Sequence, residues 1–228
     1  MCSLKTAAGA VLLLALLLVS VTRLGATEVV KTTDTVVLWV DPVGGDDGNS
    51  GATRADALAT VSAAWERIPA GVHLGQSYHI HLAAGDYTEG SFPIYWEDRH
   101  GDAAAPIVLE AADSPLSARF TGFVNMYNVD HIVWQDLAFV TGGDVFHCEQ
   151  CRHITISGVQ MDGLGAAHET IKANQSQFIT ITNSDIAGAY ENAIDFVAVQ
   201  HAWITGNRIH DGDDWCAYVK GGSAYILV

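Results

Sequence analysis

The sequence predicts an all-β protein: a right-handed parallel β-helix with an N-terminal capping helix and an apparently truncated C-terminal end. Three observations predict it. First, four segments align along the second half, His131–Phe139, His153–Met161, Phe178–Ile186 and His201–Ile209, with a fifth starting at Tyr225; their starts lie 22, 25, 23 and 24 residues apart. Each has apolar residues at its second, fourth and ninth places, the pattern of two short strands with a break between them. Second, the break at the sixth place holds Asp136, Gly158, Asn183 and Gly206, residue types that tolerate a left-handed backbone. Third, a further short strand follows in every repeat, at Val145–Cys148, Thr170–Ala173, Ala193–Phe196 and Tyr218–Gly221. Three strands per turn of this length describe a solenoid whose coils stack neighbour on neighbour. An antiparallel sandwich has no need of the same bend at the same phase four times.

The elements follow in chain order. Residues 1–26 read as a secretory signal peptide: Lys5, an apolar run from Ala10 to Val19, then a small-residue exit at Leu24-Gly25-Ala26. The rival is an uncleaved anchor, but only 17 residues separate Lys5 from Arg23, the short limit for a spanning helix. The domain is therefore expected over 27–228, secreted, with no membrane contact after cleavage. Its N-terminal cap is expected over about 36–70. Val36–Val40 is a strand and Asp41–Gly51 a turn-rich loop, in which Asp46 and Asp47 serve turn chemistry. Arg54–Ile68 places Leu58, Val61, Ala64, Trp65 and Ile68 at helical spacing, as a helix covering the open end of the solenoid would. Tyr78–Leu82 and Pro106–Glu110 are strands of early coils, with a loop at Gly101–Ala105. Clear repeat coils run over 131–228. Ile132, Ile154, Ile179, Ala202 and Ile226 form one interior column, and Trp134, Ile156, Ile181, Ile204 and Val228 another. Val228 stops inside a strand, so the chain reads as a fragment, or something else covers that end.

Charge narrows the function. Lys and Arg number 11 against 26 Asp and Glu, a net charge of −15, and such a surface repels phosphate backbones. Nucleic acid is excluded as a partner. Cys148-x-x-Cys151 suits a small disulfide in an oxidising compartment, and no second Cys/His pair stands at zinc-ligand spacing.

Several stretches resemble a known family. Trp39–Gly51, Ala83–Thr88, Asn207–Asp211 and Tyr218–Ser223 are similar to secreted parallel β-helix proteins of the pectate-lyase superfamily, most of all family 9 polysaccharide lyases and their relatives. The likeness covers about residues 36–228. It implies β-elimination on a polymer containing uronic acid, with Ca²⁺ bound by an Asp-Asp-x-x-Asp motif and a further Asp, and a lysine as base. Ca²⁺ takes several hard oxygen ligands. A lysine acts as base only when its pKa is lowered.

The motif is matched in part. Glu191-Asn-Ala-Ile-Asp195 keeps its spacing; His168–Lys172 keeps less; Asp213-Asp214 keeps the pair, with Ala217 at the third place. Glu191, Asp195 and Glu169 are the candidate metal ligands, and Lys220 or Lys172 the candidate base. On the third strand alternate residues point outward. His147, Lys172, Asp195 and Lys220 then form one outer column, at spacings of 25, 23 and 25 residues. His147, Tyr218, Trp215 and Asn174 are the candidate substrate contacts, Tyr190 is a further ring for sugar stacking, and Trp65 and Trp134 read as core. A bland alternative is a salt-bridge ladder on a solvated sheet, worth under about 1 kcal/mol per pair. His131, His153 and His201 share a column with Phe178 and read as a structural stack, no carboxylate being expected beside them. Asn174-Gln-Ser176 is a glycosylation sequon. Three functions compete: a Ca²⁺-dependent lyase, a non-catalytic carbohydrate-binding or adhesive protein, and a hydrolase or epimerase using Asp195 and Glu169. In each the partner is a polysaccharide and the protein a monomer.

Overall fold

The computed structural model describes residues 4–6 and 34–228. Of the expected signal peptide, all but Leu4–Thr6 lies outside the described residues; that short strand pairs in parallel with Ala217–Val219. Among the described residues no helix is long and apolar enough to cross a membrane.

Two parallel sheets wrap one core. The eight-stranded sheet takes one strand from each coil, in the order Thr35–Val40, Ser77–Leu82, Ile107–Ala111, Asp130–Gln135, Arg152–Ser157, Gln177–Thr182, Gln200–Thr205 and Ala224–Leu227. The second sheet collects the strands after the bend together with the third strands. Gln160–Asn174 and Asp185–Val197 run through both positions as continuous strands of 15 and 13 residues. Their pairing shifts register between Asp162 and Glu169, so the expected gap between second and third strands is here a bulge.

The interior columns stand as the periodicity predicts. Ile132 pairs with Ile154, Ile154 with Ile179, Ile179 with Ala202 and Ala202 with Ile226. Trp134, Ile156, Ile181 and Ile204 form the second column, and Val228 lies beyond the paired residues. Both columns continue into the first half, through Ile107 and Tyr78, and through Leu109, Ile80 and Leu38. There the core is aromatic. Trp96 packs edge-on against both Trp65 and Trp134, each at 4.9 Å, and Phe120 stacks between Tyr87 and Phe139 at 5.4 and 5.1 Å. Trp65 and Trp134 are buried, as expected.

The bend residues adopt positive φ: Asp136 56°, Gly158 66°, Asn183 50° and Gly206 69°. Their alternation has a steric cause. A Cβ on Gly158 would lie 2.3 Å from Asp136 Oδ1, and one on Gly206 2.9 Å from Asn183 Oδ1. Each Asp or Asn side chain fills the space that the glycine of the next coil leaves open.

The first place of the repeat is a second left-handed column. His131, His153, Phe178, His201 and Tyr225 have φ between 52° and 59°. Their rings stack at 4.1, 4.5, 5.0 and 4.7 Å, with planes within 12° of parallel. This is the structural stack that the sequence predicts, with one correction: Asp130 Oδ1 lies 2.8 Å from His131 Nδ1, so a carboxylate does stand beside it.

The helix is shorter than its apolar spacing implies. Arg54–Asp56 is one 3₁₀ turn and Val61–Glu66 the α-helix. Leu58 leaves the helix because its amide bonds Trp39 O and its carbonyl accepts from Asp41, which ties it to the first strand. Thr60 Oγ1 caps the helix at Ala63 N, and Asp47 holds the Ala59 and Thr60 amides. Asp46 accepts from Gly48, so both aspartates are structural. Cys148 and Cys151 are buried free thiols rather than a disulfide. Burial pushes the Cys151 thiol up, which leaves it unreactive.

Candidate functional site

Third strands of successive coils place one outward side chain above the next at about 4.8 Å. Register fixes the column as Asn125, His147, Lys172, Asp195 and Tyr218. Lys220 is corrected: it pairs with Val197, two residues further along, and Tyr218 stands opposite Asp195. Lys220 still reaches the site from there. Its Nζ lies 3.0 Å from Asp195 Oδ2 and 4.7 Å from the centre of the Tyr218 ring. Trp215 pairs with Asn192, on the Glu169 row.

The centre is an ion-pair cluster. Lys172 Nζ lies 2.6 Å from Glu169 Oε1 and 3.3 Å from Asp195 Oδ2. Both lysines therefore converge on one carboxylate oxygen. The cluster is not the solvated ladder of the bland reading, because the Asp195 side chain is 0% and the Glu169 side chain 7% exposed. Burial favours the protonated form of Glu169 and wins over Lys172; hydrogen-bonding contact with the Asp195 carboxyl adds to the rise. Burial opposes the charge on Lys172, but Glu169 and Asp195 outweigh it and hold its pKa above the ordinary lysine value. A lysine so held is a poor base.

His147 is fixed as the neutral imidazole. Asn174 Nδ2 donates to its Nε2 at 3.1 Å, and its Nδ1 faces Asn125 Oδ1 at 3.0 Å, so the proton sits on Nδ1. Burial lowers the His147 pKa; Glu149 opposes this and Lys172 reinforces it. Phe123 lies parallel to the His147 ring at 6.4 Å and lines a recess of about 500 Å³ with Glu89, Gly90, Phe92 and Ile94. Asn125 and Phe123 escaped the sequence reading because they precede the clear repeats; only their place on either side of Val124, the coil partner of Phe146, marks them.

Glu191 is apart from the other two carboxylates. Its Oε1 lies 3.3 Å from His168 Nδ1, and the Tyr190 hydroxyl bonds the same imidazole. Glu169, Glu191 and Asp195 thus do not present oxygens to a common point, and ammonium groups hold the nearer two. As arranged, these residues do not fit Ca²⁺, which takes six to eight oxygens at about 2.3–2.6 Å. Asn192 Oδ1 and Asp195 Oδ1 are buried without a hydrogen-bond partner. A proton on Glu169 is a donor within reach of the Asp195 carboxyl.

Among the described residues, one group of His, Cys, Asp or Glu brings ligand atoms within 4.8 Å of one another: Asp130, His131 and His153. The two imidazoles there are stacked 12° from parallel, so their nitrogens point side by side rather than at one centre.

No protein-family model matches the chain, and no curated protein does. Solved structures do. Pectate lyase Pel9A is similar over 83% of this chain and 55% of its own, at 18% identity and a TM-score of 0.49. A rhamnogalacturonan lyase is similar over 82% of this chain and 62% of its own, at 10% identity and a TM-score of 0.50. A GH136 lacto-N-biosidase from Eubacterium ramulus is similar over 74% and 44%, at 11% identity and a TM-score of 0.41. The fold is a parallel β-helix, as in the rhamnogalacturonan lyase. This chain spans between 44% and 62% of the length of these structures.

Proposed function

We propose that this chain is a secreted carbohydrate-active β-helix protein that binds a polysaccharide along the outer column, without turning it over. One observation carries the choice between binding and catalysis: both carboxylates of the central cluster are neutralised by lysines, and the better buried lysine is held protonated. The face offers Asn125, His147, Lys172 and Tyr218 in a row of five coils, about 19 Å long at ~4.8 Å per step. Asn174, Trp215 and the exposed Tyr190 flank it. Amides, an imidazole and aromatic rings suit sugar hydroxyls and ring faces. The protein acts as a monomer.

A second reading keeps catalysis: β-elimination on a uronic-acid polymer, with Lys220 taking the proton α to the carboxylate. It is favoured by the exposure of the Lys220 side chain, 37%, beside the Tyr218 ring. Lys172 does not serve there, since its pKa moves the wrong way.

Incubation with pectate, alginate and related polymers, in Ca²⁺ and separately in EDTA, decides between them. Binding on a glycan array with no ultraviolet absorbance of an unsaturated uronide is the expected result. Turnover abolished by Lys220→Ala establishes the lyase instead. Absence of binding to every polysaccharide refutes both.

A further inference from the structure

We propose that the Lys172 ammonium is the resident cation of this face, and that the site holds no divalent metal. The inference deepens the binding reading above by stating how the acidic site is neutralised.

Position comes first. Lys172 Nζ bridges Glu169 Oε1 and Asp195 Oδ2 at 2.6 and 3.3 Å, so a single positive charge sits between the two carboxyl groups that a metal would need to share. Its partners are rigidly placed. Lys172 and Asp195 are register neighbours on adjacent strands, and Glu169 lies three residues before Lys172 on the same strand, just after the bulge. Charge comes second. Two carboxyls face two ammonium groups, because Lys220 Nζ lies 3.0 Å from the same Asp195 oxygen. A divalent ion added here meets two positive charges in a site whose carboxylates are closed to water, and repulsion in such surroundings is weakly screened. Donor supply comes third. Glu191 is turned to His168, which the Tyr190 hydroxyl also bonds, and this leaves too few oxygens for a cation that takes six to eight.

The buried, unpartnered Asn192 Oδ1 and Asp195 Oδ1 are the atoms that a metal would have to recruit, so they frame the test. Thermal melting and calorimetric titration of the whole purified chain are read with CaCl₂ and with EDTA. The wild-type protein is expected to melt at the same temperature in both and to give no binding heat. Lys172→Met keeps the aliphatic stem and removes the ammonium; this variant is expected to gain Ca²⁺ affinity by at least about tenfold over wild type, a gain cancelled by adding Asp195→Asn. Lys172→Gln serves if the methionine variant does not fold. Wild-type melting that rises with Ca²⁺, and ceases to rise in Asp195→Asn, overturns the proposal. So does a folded Lys172 variant that remains indifferent to Ca²⁺. Polysaccharide binding measured in EDTA is a separate readout: its failure strikes the proposed function and leaves the metal result standing.

Discussion

Asp195 shows how little a residue's type says about its energetics. Alternation along the strand places it on the outer face, yet the side chain is 0% exposed and both its ammonium partners lean over it. Removing one member of a buried pair leaves the other charge uncompensated. Asp195→Ala is expected to cost about 2–3 kcal/mol, below the full value for a closed pair because both lysines remain partly wet. Urea unfolding measures this, and a loss under ~0.5 kcal/mol, the size of an ordinary surface change, refutes the assignment. His147 sets a pH dependence. Burial lowers its folded pKa below the unfolded 6.5, so the unfolded chain binds more protons in that window and stability falls as pH drops below 6.5. Glu169 has the opposite sign: its folded pKa is raised above 4.5, so its contribution is present at lower pH and fades as pH rises through the folded value. Denaturation of wild type and His147→Gln between pH 8 and pH 5.5 is expected to show a shallower slope in the variant. Lys172 and Asp195 are legible from strand alternation and Glu169 only from the partial acidic motif; the place of Lys220 is not. Spacing alone puts it level with Asp195; register puts it two residues beyond, because nothing in His210–Asp214 announces how much chain the turn consumes.

At the scale of the element, the bend repaid attention to residue type. Asp, Gly, Asn and Gly at one phase signalled a left-handed turn, and the structure adds the reason for their order. Gly158→Ala puts a methyl group 2.3 Å from Asp136 Oδ1 at φ 66°, and is expected to destabilise by about 1–3 kcal/mol. Gly206→Ala meets Asn183 Oδ1 at 2.9 Å and should cost less. Equal losses would show that φ alone decides; Asp136→Ala combined with Gly158→Ala should recover part of the first. The ring column carries the same backbone strain with histidine, phenylalanine and tyrosine, residues that give no such warning. Stacking holds them there; the stack itself is legible from the repeat, the left-handed backbone beneath it is not. The helix went the other way. All five spaced residues are buried, but only Val61, Ala64 and Trp65 lie in the helix, and Leu58 is held as a bridge to the first strand.

For the whole molecule, coils that touch only their neighbours should open from the ends. Amide exchange is expected to be slowest at Ile154, Ile156, Ile179 and Ile181, which have coils on both sides, and fastest at Ala224–Leu227, where Tyr225 and Leu227 are 74% and 55% exposed. Uniform exchange along the axis would rule out independent coils. Fold class was legible throughout because one period repeats five times; the site was legible only in part, because it depends on loop lengths that the period does not constrain. One contact also bears on how the protein can be made. Asn174 gives its amide to His147, and Ser176 of the same sequon is wholly interior, its hydroxyl accepting from Cys151 N. The acceptor tripeptide is thus closed to a transferase once its coil is in place. A host that decorates nascent chains would install an oligosaccharide where the imidazole must dock, and should yield retained, misassembled product; a bacterial host, or Ser176→Ala in a eukaryotic one, should release it.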